Sequence, residues 1–268
     1  MKGVKVKGFG MMEAPPVTEV HASFLQRSEN TFDTVDHKIA EVEFFLRRLF
    51  HSDSFEFNCY FSAYLSAART VTLALQRFYH IDGMEAWYEQ RREILKKDPL
   101  ARTFKLLRDD HLHGGMYPVS GSWHHNGESV RFLKNGVGGE SIDDIAESAK
   151  NYFALLLELV YDCYVGFGVH IDPQQYYSSE HFTSIGRCID DAELEVHGWV
   201  MTSLVEEGWS EADRWHELRG HVDYCRINHL FYAYLGKTTP KPLLPAYLEE
   251  IEPGAEDNGW THVPAGRA

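Results

Sequence analysis

The 268 residues carry a formal net charge of −14, with 44% hydrophobic and 13% aromatic content. That apolar content excludes wholesale disorder and supplies core material for one large domain or two small ones. The charge excludes a general nucleic-acid coat, which is ordinarily basic, but leaves room for an enzyme that needs only a local cationic patch.

The N-terminal Met1-Lys2-Gly3-Val4-Lys5-Val6-Lys7-Gly8 is basic and lacks the apolar stretch of a signal peptide. Residues 1–20 alternate weakly and end in Pro15-Pro16, the pattern of a short strand or extended arm, so residues 1–33 are taken as an N-terminal arm. The four cysteines, Cys59, Cys163, Cys188 and Cys225, form no C-x-x-C pair. Cys59, Cys163 and Cys225 lie in helix-like apolar segments and read as reduced core or near-core thiols of a cytoplasmic protein. The longest apolar run, Tyr152 to Val169, is interrupted by Glu158 and Asp162 and reads as too polar and too short for a membrane span.

In chain order, the first helix is expected from Thr34 to Phe50, with Val35, Ile39, Val42, Leu46 and Leu49 on one face. Ser52, Asp53 and Ser54 break the pattern and offer caps. A second helix, Phe55 to His80, is apolar almost all round and carries the small residues Ser62, Ala63, Ser66, Ala67 and Ala68. It reads as the central helix of a bundle, with Arg69 as a buried cation in need of a partner. A short helix from Gly83 to Lys97 follows, and Asp98-Pro99 starts the next, which ends at Gly114-Gly115.

Residues 114–140 predict a small β-hairpin or ordered loop, with Lys134-Asn135-Gly136 as turn material. Ser141 to Asp144 resembles a capping box for a long helix reaching about Tyr164. Two more helices, Ser184 to Glu207 and Ser210 to Leu235, precede a proline-rich acidic tail after Thr239. The fold class is mainly α: a helical bundle over 34–168 with a small hairpin near 115–138, and a C-terminal helical extension over 169–268.

The segment Lys105 to Gly115 carries the chemistry. Arg108 and His113 stand five positions apart at a helix end, and Asp109 follows the arginine. A guanidinium forks onto phosphate oxygens, and an imidazole moves a proton near neutral pH. The preceding stretch is locally basic, with Arg91, Arg92, Lys96, Lys97, Arg102, Lys105 and Arg108 against Glu93 and Asp98. With 15 histidines in the chain the spacing alone is weak, and a solvated helix face is the competing reading.

The residues from the first helix through His113 resemble the HEPN superfamily of nucleotide-binding helical domains. The matching signature is an arginine, a polar residue, a short gap and a histidine, here Arg108-Asp109-Asp110-His111-Leu112-His113. Upstream, Ser66-Ala67-Ala68-Arg69-Thr70-Val71-Thr72, then Trp87-Tyr88-Glu89, then Lys97-Asp98-Pro99-Leu100 are similar to segments of an uncharacterised bacterial branch of that family. The resemblance implies an up-and-down helical bundle and a metal-independent RNA endonuclease of the toxin or phage-defence type, needing no cofactor. His113 would be the base on the 2′-hydroxyl, Arg108 the phosphate cation and Asp109 their orienter, leaving a 2′,3′-cyclic phosphate. Arg69, Arg102, Lys105 and Tyr117 would contact substrate. A cytoplasmic homodimer is implied, with RNA and an antitoxin or nucleotidyltransferase-like protein as partners and no membrane.

Two other classes stay open. One is a non-catalytic nucleotide- or protein-binding module of the same fold. The other is a metal-dependent hydrolase. Its ligands would be His111 with His124 and His125, or His221, Cys225 and His229, read as i, i+4 and i+8 on one helix stripe with His197 on the preceding helix. Packing stripes more often explain such spacings, and no metal is the expectation.

Overall fold

The computed structural model describes residues 32–52, 54–114, 119–125, 128–134, 136, 141–202 and 207–242. Its architecture is a mainly helical bundle with one small antiparallel hairpin. The arm at 1–31 and the tail after residue 242 lie outside the described residues.

The first helix, α1 (Asp33–Leu49), follows its apolar stripe. Val35, Ile39, Val42, Leu46 and Leu49 are all buried, as the period predicts. α2 (Ser54–Gln76) runs beside it and buries Phe57, Phe61, Tyr64, Leu65, Ala68, Val71 and Leu75. It is not the central helix. Cys59, Ser66, Arg69 and Leu73 form an exposed stripe, so Arg69 is a surface cation and Cys59 a surface thiol. Cys163 and Cys225 are buried.

The central helix is α5 (Ile145–Ile171), which touches α1, α2 and the helix before the hairpin. By length and composition it could cross a membrane. Here it is a core helix, burying Ile145, Ala149, Phe153, Leu156, Leu157, Val160 and Cys163 within the bundle. Asp144, not Ser141, is its N-cap, accepting from the backbone N–H of Ala146 and Glu147 at 2.9 and 3.1 Å. The helix outlasts its expected end at Tyr164 and bends at Phe167, whose φ is −127°. Gly168 is required just beyond the bend. A Cβ there would sit 1.9 Å from the Gln175 side chain, whose amide donates to the Tyr164 carbonyl at 3.0 Å and to Asp172 Oδ2 at 2.9 Å.

Between α2 and α5 lie α3 (Met84–Lys97) and α4 (Pro99–Gly114), then β1 (Gly121–His125) and β2 (Glu128–Phe132). The strands pair antiparallel, with Trp123 opposite Val130. Their connection falls at 126–127, ahead of the expected Lys134-Asn135-Gly136. The two residues there are Asn126-Gly127, the strongest short hairpin signal in the segment.

Beyond α5 come α6 (Pro173–Tyr176) and α7 (Ser179–Ser184), and where two long helices are expected the described residues form shorter ones, among them α8 (Ile189–His197), α9 (Glu211–Gly220) and α10 (Asn228–Leu235). Local chemistry divides them. Gly198 takes φ +79° at the end of α8, and Ser210 caps α9 by accepting from the Asp213 N–H. Tyr176, Tyr177, Phe182, Ile189, Ala192, Trp215, Leu218 and Val222 form a second core. It is pinned by Arg214, which donates to fully buried Glu193 at 2.6 and 2.8 Å. Ile227, Leu230 and Phe231 return to the first core.

Candidate functional site at the end of helix α4

The placement of α4 decides what its charged residues can meet. Asp98 Oδ1 accepts from the Ala101 N–H at 2.8 Å and caps the helix start. Phe104 then enters the core, edge-on to Phe61 at 6.2 Å between centroids and stacked on Tyr152 at 4.7 Å. Together with Leu107 this turns one face of α4 toward α2 and α5. Helical periodicity distributes the remaining positions. Positions 108 and 111 lie about 60° apart around the axis, and positions 108 and 113 about 140° apart. Arg108 and His111 are both half-buried beside the packed face, whereas Arg102 and Lys105 are exposed.

Among the described side chains, the imidazole that meets α2 is His111. Its Nε2 lies 2.5 Å from Ser62 Oγ, a hydrogen bond spanning 49 residues of sequence. Ser62, Ser66 and Arg69 share one face of α2, because seven residues return a helix to within about 20° of its starting direction. Arg69 is exposed and donates to Thr72 Oγ1 at 2.9 Å. Arg108 is ion-paired with Asp109, and its Nε is buried with no hydrogen-bond partner among the described residues. A buried N–H left so costs about 1–3 kcal/mol, which an anionic oxygen would recover.

Tyr152 of α5 closes the base of the cluster. Burial pushes its phenol up to about 12, while the positive charges of Arg69 and Arg108 both act to lower it. Two guanidiniums from different helices thus sense one phenol. α2, α4 and α5 meet at a patch where His111 contacts Ser62 beside the half-buried Arg108. Such a patch can bind an anion and move a proton next to it.

The local basicity is smaller than the sequence suggests. Arg91 pairs with Asp162 at 2.7 Å and Arg92 with Glu89 at 2.8 Å; Lys96 pairs with Glu93 and Arg108 with Asp109. Arg102 and Lys105 have no ion pair among the described residues and form an exposed ridge running toward Arg108.

His113 is in the last turn of α4, but its side chain, all of Tyr117, and the side chains of His124 and His125 lie outside the described residues. His221, Cys225 and His229 do not share a helix stripe. His221 caps the end of α9, Cys225 is buried in the following loop, and His229 begins α10. Among the described residues no group of three or more His, Cys, Asp or Glu side chains is disposed to hold a metal ion.

Ser62 and Tyr152 were missed by motif reasoning. Ser62 had one usable signal, its seven-residue spacing from Arg69 on a helix otherwise rich in buried aromatics. No protein-family model matches the chain, and no curated protein or solved structure matches it.

Proposed function

We propose that the protein is a metal-independent RNA endonuclease of the HEPN-like type, with its site between α2 and the C-terminal turns of α4. The observation that carries this reading is the placement of Arg108 and His111 side by side on α4, facing a helix that supplies Ser62 and Arg69. Cleavage through the 2′-hydroxyl uses a nucleophile that the substrate already holds. The protein need only remove a proton and stabilise charge on the phosphate. A histidine of the last two turns of α4 is the base, Arg108 the cation, and Arg102 and Lys105 an outer ridge for flanking phosphates. The reading expects a cytoplasmic homodimer.

The test is cleavage of end-labelled RNA by the purified full chain in EDTA, with products carrying 2′,3′-cyclic phosphate and 5′-hydroxyl ends. Arg108→Ala should lower the rate about 100-fold, the usual effect of removing one charge-stabilising donor. Cleavage by Arg108→Ala at the wild-type rate, or none by the wild type across single- and double-stranded substrates, refutes it.

The Asp109–Arg108 ion pair favours a second reading, a module that binds a nucleotide without turnover. It expects a ligand-dependent rise in Tm with the nucleotide recovered intact.

A further inference from the structure

The HEPN-like signature names His113; among the described side chains, the imidazole held to the neighbouring helix is His111. We propose that His111 is the proton-accepting group of this site, that Ser62 is its positioning residue, and that Arg69 joins Arg108 as a second phosphate contact. This inference rests on the ribonuclease reading and specifies its residues.

Three observations carry it. The Ser62 Oγ to His111 Nε2 contact, at 2.5 Å, is at the short end for such groups and ties the ring to α2. A histidine whose ring nitrogen is so held has its orientation set by that bond. Position 111 falls within about 60° of Arg108 on α4, the ordinary spacing of side chains that meet on one helix face. Finally, Arg69 stands two turns along α2 from Ser62, and its charge and that of Arg108 both reach the Tyr152 phenol. A phosphate held by both guanidiniums would lie along the α2–α4 contact that also holds the imidazole. The buried, unpartnered Nε of Arg108 supplies a donor for one of its oxygens.

The His111 imidazole acts as the base. It takes the proton of the 2′-hydroxyl as O2′ forms its bond to phosphorus. The P–O5′ bond breaks, O5′ takes a proton from water, and the imidazolium returns its proton to solvent. The products are a 2′,3′-cyclic phosphate and a 5′-hydroxyl end, with no net change in protons. Asp109 must release Arg108 as the phosphate arrives, since both compete for one guanidinium.

The test combines kinetics with a readout independent of turnover. Full-length wild type, His111→Gln, His113→Gln, Ser62→Ala, Ser62→Thr and Arg69→Gln are assayed on one labelled RNA oligonucleotide. His111→Gln should lose about 100-fold or more in kcat, the usual share of a general base, and lose more than His113→Gln. Ser62→Ala should lower kcat about tenfold with KM held, and Ser62→Thr, which restores the hydroxyl, should recover it. Arg69→Gln should raise KM. In ¹⁵N NMR the His111 ring resonances should shift between the wild type and Ser62→Ala. Loss of cleavage in His113→Gln with His111→Gln near wild type overturns this inference and leaves the ribonuclease reading standing. An unchanged His111 spectrum in Ser62→Ala overturns the positioning role. A wild type that cuts no RNA removes the ribonuclease reading, and this inference with it.

Discussion

Asp36 offers a quantitative test of the fold. It is 2% exposed, accepts from the Tyr164 hydroxyl at 2.8 and 3.0 Å and from the Arg226 N–H at 3.1 Å, and has no ion pair among the described residues. Burial outweighs those hydrogen bonds and lifts its pKa from 3.8 to about 7. A carboxyl raised in this way opposes folding once ionised: the unfolded chain gives up the proton near pH 4 and the native one only near neutrality. The handicap is nearly absent below pH 4, grows as pH rises, and is complete above pH 7. At about 1.36 kcal/mol per pKa unit, the full handicap is about 4 kcal/mol. Asp36→Asn keeps an oxygen for Tyr164 but cannot ionise. Its stability relative to wild type should therefore rise by roughly 3–4 kcal/mol between pH 4 and pH 8. Any fixed cost of the new amide cancels in that difference. Urea unfolding followed by circular dichroism at both pH values measures it. A difference between the two proteins that does not change with pH would refute the burial argument.

Other substitutions probe the elements that hold the site and the second core. Glu193→Ala should cost about 3–5 kcal/mol, because Arg214 is left buried against Asp190 alone and the Met201 N–H loses its acceptor; thermal unfolding reads it. Gly168→Ala should lower stability by about 1–3 kcal/mol, since its methyl group occupies the space of the Gln175 amide; a crystal structure would show that side chain displaced. Asp144→Ala should cost about 1 kcal/mol by freeing two backbone donors at the start of α5, visible as faster amide exchange at Ala146 and Glu147.

Local features were legible where near neighbours in the chain decide them. The stripe on α1, the Asp98-Pro99 start of α4 and the start of a helix at Ser210 all came from residues within a turn or two of each other. Errors arose where local breakers were passed over or where distant residues decide. Residues 184–207 looked like one helix because apolar spacing alone ignored Gly186 and Gly198, and the cap made by Asp191 at the Cys188 N–H. Arg69 looked buried because α2 is rich in small and apolar residues, which cannot reveal that one of its faces has no neighbour. The basic patch looked stronger because Asp162, which neutralises Arg91, lies on a different helix.

By itself the sequence determined that this is a mainly helical protein and that its most chemically equipped segment ends α4. Helical period, caps and breakers act over a few residues and are written locally. Tertiary structure alone decided which side chains share that site. The stacking of Phe104 on Tyr152 and its edge contact with Phe61 set the rotation of α4. That rotation brings His111 to Ser62. Such a meeting depends on how cores pack, and no spacing along the chain encodes it.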